Sequence, residues 1–193
     1  MNSTRYLVLG GARSGKTRFA LNTAKSLASA HEREVIYVAT AEAHDAEMRE
    51  RIARHRAERP TNWHTLEASR DLAQALATTR PRDSSEGDSS PIFVIDCLTL
   101  WLSNALLCDF REDEPSAALP TWAREREAFI HWLENCTHTV VLVSNEVGGG
   151  IVPTSALARR FQSEQGWLNQ DVASICEHVT LVVAGLPVAI RTP

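Results

Sequence analysis

The sequence predicts an α/β fold in which a doubly wound, mostly parallel sheet carries helices on both faces. Three observations support this. Five short apolar runs rich in β-branched residues occur at 6–9, 35–39, 92–95, 140–143 and 179–183. Amphipathic stretches with helical spacing lie between them, and a glycine-rich turn joins the first run to the first such stretch. Runs that are apolar at every position fit strands buried on both faces, and helical connections between strands make them parallel.

Each element follows from its own residues. Tyr6-Leu7-Val8-Leu9, closed by Gly10-Gly11, reads as the first strand, and 16–29 as the helix after it. Val35-Ile36-Tyr37-Val38-Ala39 is the second strand, followed by helices over 43–59 and 69–79. Ile92-Phe93-Val94-Ile95 is the third strand, 121–135 a helix, and Val140-Val141-Leu142-Val143 the fourth strand. A helix over 155–177 leads to a last strand at 179–183, closed by Ala184-Gly185. Residues 80–91 (RPRDSSEGDSSP) and 109–120 (DFREDEPSAALP) read as solvated loops. Neither is long enough to mark a boundary, so residues 1–193 are expected to form a single domain.

Composition narrows the function classes. With 24 acidic and 20 basic residues the net charge is −4, which argues against a broad nucleic-acid or anionic-membrane surface while leaving room for a local basic pocket. Cys97, Cys108, Cys136 and Cys176 form no CxxC pair and read as reduced, mostly buried thiols. The N-terminus shows no charged-then-apolar signal segment, and no apolar run is long enough to span a bilayer, so a cytoplasmic protein is expected.

Gly10-Gly11-Ala12-Arg13-Ser14-Gly15-Lys16-Thr17 fits the phosphate-loop pattern GxxxxGK followed by Ser or Thr, with a strand directly before it and a helix directly after. Glycines let the backbone wrap phosphate oxygens, and successive N–H groups form an anion nest at the positive end of a helix. Lys16 supplies charge to the β and γ phosphates, and Thr17 offers a hydroxyl to Mg²⁺. The fold expected is therefore P-loop NTPase-like. A carboxylate at a strand end should complete the metal site. Asp96, after the third run, is the first candidate, and Glu146, after the fourth, is the other. These features establish triphosphate binding without separating a small-molecule kinase from a nucleotide-driven switch or motor. A Ras-type switch should carry an NKxD-like motif, which is absent, and a nucleic-acid motor should be more basic.

Met48, Ile52 and His55 are spaced i, i+4, i+7, which puts His55 on the inward stripe of the second predicted helix. Arg51, Arg54, Arg56 and Arg59 surround it. Periodicity alone favours a half-buried histidine on an amphipathic helix with solvated arginines. The same cluster also suits a polyanion, with guanidinium groups neutralising phosphate oxygens while the imidazole attacks phosphorus. The loop Ser144-Asn145-Glu146-Val147-Gly148-Gly149-Gly150-Ile151-Val152-Pro153 follows the fourth strand, where open parallel sheets bind ligands, and its glycines allow close approach or movement. Glu146, Gly148, Gly150 and Pro153 are its candidate substrate-facing residues.

Together these segments resemble the bifunctional adenosylcobinamide kinase / adenosylcobinamide-phosphate guanylyltransferase family of cobalamin biosynthesis. The matching pieces are GGARSGKT, YVATA, EMRERIARHRAERPTNW, DCLTLWLSN, SNEVGGGIVP, GWLNQDVA and VVAGLP, in the family's order over nearly the whole chain. The resemblance implies phosphorylation of adenosylcobinamide by a nucleoside triphosphate. GMP then passes from GTP to that phosphate, through a covalent histidine, to give adenosylcobinamide-GDP and pyrophosphate. By position in HRxxRPxxW the histidine is His55, with Arg56 and Arg59 as expected phosphate contacts. It further implies Mg²⁺ with ATP and GTP as substrates, no tightly bound organic cofactor, and a homotrimer in which His55 works beside a neighbouring subunit's phosphate loop. One departure stands out: after Phe161 the family commonly reads Arg-Asp, and this chain has Gln162-Ser163. The rival within the same chemistry is a monofunctional P-loop kinase.

Overall fold

The computed structural model describes residues 3–43, 45–57, 59–79 and 90–193, without the side chains of Glu47 and Arg51. The loop expected at 80–91 lies mostly outside the described residues, as do positions 44 and 58 of the helix expected over 43–59.

The elements run β1 (Arg5–Gly10), α1 (Lys16–His31), β2 (Val35–Ala39), α2 (Ala46–Ala57), β3 (His64–Glu67), α3 (Leu72–Thr78) and β4 (Ile92–Asp96). They continue through α4 (Leu98–Asp109), α5 (Pro120–Asn135), β5 (Thr139–Asn145), α6 (Ala156–Ile175), β6 (His178–Val183) and β7 (Leu186–Arg191). The sheet order is β3-β2-β4-β5-β1-β6-β7. Every pairing is parallel except β6–β7, which is antiparallel. This is the expected mostly parallel, doubly wound α/β sheet.

The apolar runs become strands because each face of the sheet has its own core. Val8, Val35, Tyr37, Ile92, Val94, Val141 and Val143 pack with Ala20, Leu21 and Ala24 of α1. The alternate residues, among them Leu7, Leu9, Ile36, Val38, Phe93, Ile95, Val140 and Leu142, pack with α3, α4, α5 and α6 on the opposite face. With successive side chains pointing to opposite faces, only strands that are apolar throughout can fill both layers. In the second layer Trp101 meets Trp122 and Phe129 edge-on, with both ring-centre separations 5.0 Å. The two indole N–H groups donate to Glu125 (2.7 Å) and Glu164 (2.9 Å), so burying these tryptophans leaves no donor unmet.

Three elements extend the sequence reading. β3 holds a single large apolar residue, Leu66, in a run too polar to stand out. α4 is buried nearly all round, from Leu98 and Thr99 through Trp101, Leu102, Asn104, Ala105 and Leu106, so it has no polar face to betray its period. β7 is an edge strand exposed along its length and carries Pro187, which an edge tolerates.

Candidate active site

The carboxyl ends of the central strands line up by register. Gly10 of β1 lies beside Asn145 of β5. Asp96 pairs with Val143 on one side and with Ala39 of β2 on the other. One strand, β5, therefore separates the phosphate loop from Asp96, and their side chains meet above it. A cavity of about 380 Å³ opens there, lined by Lys16, Thr17, Asp96 and Asn145 from the sheet side and by Met48, Ile52, His55 and Arg59 from α2 and the turn after it. Glu42, Glu67 and Ser69 also line it.

The phosphate loop is shaped by two glycines. A Cβ at Gly10 would meet Ser14 Oγ at 2.4 Å and the Val182 carbonyl oxygen at 2.7 Å, so β1 turns into the loop where only hydrogen fits. Gly15 is in the left-handed region (φ 93°) and caps α1 at its N-terminus. Gly11, Ala12, Arg13 and Ser14 form the arch between them. Arg13 is also left-handed (φ 56°), and the Ser14 carbonyl accepts from the Gly185 N–H at 2.9 Å. Lys16 is buried and donates to the Gly11 carbonyl at 3.1 Å, holding its ammonium inside the loop.

His55 stands on the cavity wall. Its Nδ1 lies 4.0 Å from Asp96 Oδ2, with the imidazole about a quarter exposed and the carboxylate 11 % exposed. The inward stripe Met48–Ile52–His55 is borne out, since all three side chains line the cavity. It shares that cavity with Lys16 and Thr17 of the same chain. Arg59 lays its guanidinium over the Tyr37 ring, 3.4 Å from the centroid, and its Nε is buried without a hydrogen-bond partner among the described residues. Tyr37 donates its hydroxyl to Asp96 Oδ2 at 2.7 Å. Burial, reinforced by the Asp96 charge, pushes that phenol far above its ordinary range. Burial also raises the Cys97 thiol to about 11, with Asp96 adding to the shift, so Cys97 stays protonated.

The other expected residues lie apart from this cavity. Arg54 and Arg56 are exposed on α2 and do not line it. Glu146, Gly148 and Gly150 are exposed beyond β5, with Glu146 Oε1 accepting from the Gly148 N–H at 2.7 Å, and Pro153 is half-buried. Gln162, one of the departing pair, donates to the Val147 carbonyl at 3.0 Å and so braces this loop from α6. Ile151 at its tip is 97 % exposed.

The structure adds two residues that spacing did not single out, Tyr37 and Asn145. Asn145 is pinned through its backbone, its N–H to Thr99 Oγ1 at 2.8 Å and its carbonyl to Asn169 Nδ2 at 3.0 Å, while its own Oδ1 is buried and unpartnered among the described residues. Asn169 explains the GWLNQ segment: it ties α6 to the end of β5. A carboxylate, a hydroxyl and a polar amide beside a buried lysine suit Mg²⁺ held partly by triphosphate oxygens, since that ion takes few protein ligands. Among the described residues no group of three or more His, Cys, Asp or Glu could hold a metal by itself.

A phosphate loop on a parallel sheet, with an imidazole and a strand-end carboxylate in one cavity, defines a P-loop enzyme of phosphoryl-group chemistry. The family model for cobinamide kinase / cobinamide phosphate guanyltransferase matches residues 6–190. The chain is 46 % identical over 187 residues to the bifunctional adenosylcobalamin biosynthesis protein CobP of Pseudomonas aeruginosa, covering 97 % of each. It is 36 % identical over 192 residues to the bifunctional adenosylcobalamin biosynthesis protein CobU of Escherichia coli, covering 96 % of this chain and 98 % of that one. The corresponding CobU of Salmonella typhimurium is 35 % identical over 190 residues, with 96 % and 98 % covered. The chain belongs to the cobinamide kinase / cobinamide phosphate guanyltransferase family and is an enzyme.

Proposed function

We propose that the protein phosphorylates the aminopropanol hydroxyl of adenosylcobinamide, then transfers GMP from GTP to the new phosphate through His55. The observation that carries this reading is the meeting of His55 with Lys16, Thr17 and Asp96 in one cavity. Nε2 of the neutral imidazole attacks the α phosphorus of GTP. A P–N bond forms as the α–β bridging P–O bond breaks, and pyrophosphate leaves against Lys16, the loop N–H groups and Arg59. An oxygen of the cobinamide phosphate then attacks the same phosphorus, the P–N bond breaks, and adenosylcobinamide-GDP departs with His55 neutral again. Nδ1 faces Asp96 across 4.0 Å, which leaves Nε2 as the nitrogen assigned the attack. Thr17 and Asp96 would hold Mg²⁺, which neutralises phosphate charge when bound.

ATP and GTP enter as substrates and no organic cofactor takes part. Glu146, Gly148, Gly150 and Pro153 form the edge over which the corrinoid approaches, and Arg56 meets the phosphates only if α2 turns. We further propose a cytoplasmic homotrimer. Leu186, Val188 and Ile190 on the exposed edge strand β7 supply apolar surface for such a contact, and no described helix is long and apolar enough to cross a membrane.

The test is a two-step assay with adenosylcobinamide, ATP and GTP, products resolved by chromatography. His55→Ala should accumulate adenosylcobinamide phosphate and make no adenosylcobinamide-GDP. A variant that still makes the GDP product would reject His55 as the carrier.

A further inference from the structure

We infer that Tyr37 is the positioning residue of this site, its hydroxyl holding the Asp96 carboxylate while its ring carries Arg59. The inference rests on the proposed role of Asp96 at the metal. Tyr37 sits in the middle of β2, opposite Val94 of β4, in a run where a phenylalanine would serve the core equally well. It is 2 % exposed, and a phenolic hydroxyl buried that deeply is costly unless it finds a partner. The partner is Asp96 Oδ2 at 2.7 Å, the same oxygen that faces His55 Nδ1 at 4.0 Å. A hydrogen bond to a carboxylate is worth more than a neutral one and fixes the rotamer that accepts it.

The ring face has separate work. Arg59 follows α2, its N–H bonded to the Arg56 carbonyl at 3.3 Å, and its guanidinium carbon sits over the Tyr37 ring at 3.4 Å from the centroid. That contact holds Arg59 on the cavity lining, with its Nε buried and without a hydrogen-bond partner among the described residues, and braces the turn that follows the His55 helix. The hydroxyl and the ring of one side chain thus set two different groups, and substitution can separate them.

The full chain is titrated with a GTP analogue whose α and β phosphorus atoms are bridged by methylene, so that GMP cannot be surrendered, over a range of Mg²⁺ concentrations and in EDTA. Tyr37→Phe should raise the Mg²⁺ concentration needed for tight binding about tenfold and leave the affinity in EDTA unchanged, as loss of one charge-assisted hydrogen bond predicts. Tyr37→Leu should also weaken binding in EDTA, because Arg59 loses its platform. In an Asp96→Ala background, which removes the acceptor, Tyr37→Phe should add nothing, since it acts through Asp96. Were Tyr37→Phe to match wild type at every Mg²⁺ concentration, or to cost as much in the Asp96→Ala background, the inference would fall. If Mg²⁺ does not affect analogue binding to the wild type, the metal role of Asp96 fails and takes this inference with it. A normal Mg²⁺ effect without any GMP adduct from GTP itself removes only the guanylyl step.

Discussion

His55 Nδ1 faces Asp96 Oδ2 across 4.0 Å, which joins the helix carrying the imidazole to the sheet carrying the phosphate loop. Asp96→Asn keeps the shape and the Tyr37 hydrogen-bond site while removing the charge. It should lower the rate of guanylyl transfer at saturating GTP by more than about a hundredfold, beyond the usual cost of losing a supporting partner at a metal site. Steady-state kinetics with the KM for GTP measured alongside would check this.

Arg59 holds its guanidinium over the Tyr37 ring, and so a lysine is a poor substitute. Arg59→Lys retains the charge but loses the planar face that rests on Tyr37. Both Arg59→Lys and Arg59→Ala should raise the KM for GTP, by about tenfold for Ala, the scale of one charge-assisted contact, with Lys recovering little. Full recovery by Lys would show that only the charge matters.

Gly10 is confined by contact. Gly10→Ala would press a methyl carbon against the Val182 carbonyl oxygen, a backbone atom of the neighbouring strand β6 that cannot rotate away. The expected cost is about 1–3 kcal/mol of stability, typical of overpacking, together with weakened nucleotide binding because the loop must shift. Thermal melting and nucleotide titration of the same sample would read both.

The thiols should divide by burial. Cys97, Cys136 and Cys176 are buried and Cys108 is exposed. Cys97 and Cys176 are raised to about 11 and about 12 by burial, against an ordinary 9.0. In the folded protein a thiol reagent at pH 8 should modify Cys108 rapidly and the other three only on unfolding. Because these folded-state values are raised, the stability they contribute is complete below about pH 9 and is lost as pH climbs through about 11. Melting temperature should fall over that interval.

The parts of this architecture with a strong period or a strict motif were readable in the residues. All five apolar runs became strands, and the spacing of Met48, Ile52 and His55 foretold which face of α2 looks inward. What stayed hidden has physical causes. α4 is buried on nearly every side and so shows no amphipathic stripe, while β3 is too polar and β7 too exposed to read as sheet. Tyr37 looked like one more apolar strand residue, because nothing in VIYVA says that its hydroxyl will meet a carboxylate from β4. Arg56 and Arg59 are three apart on paper, yet the helix ends at Ala57 and only Arg59 turns onto the cavity.

The central claim, that His55 carries GMP, is tested most directly by incubating the protein with GTP and Mg²⁺ and measuring intact mass, then mapping the modified peptide. The account predicts one GMP per chain, on His55, labile to acid and stable to alkali, and absent from His55→Ala. A GMP adduct that persists in His55→Ala, or a wild type that turns over substrate without any adduct, would contradict it.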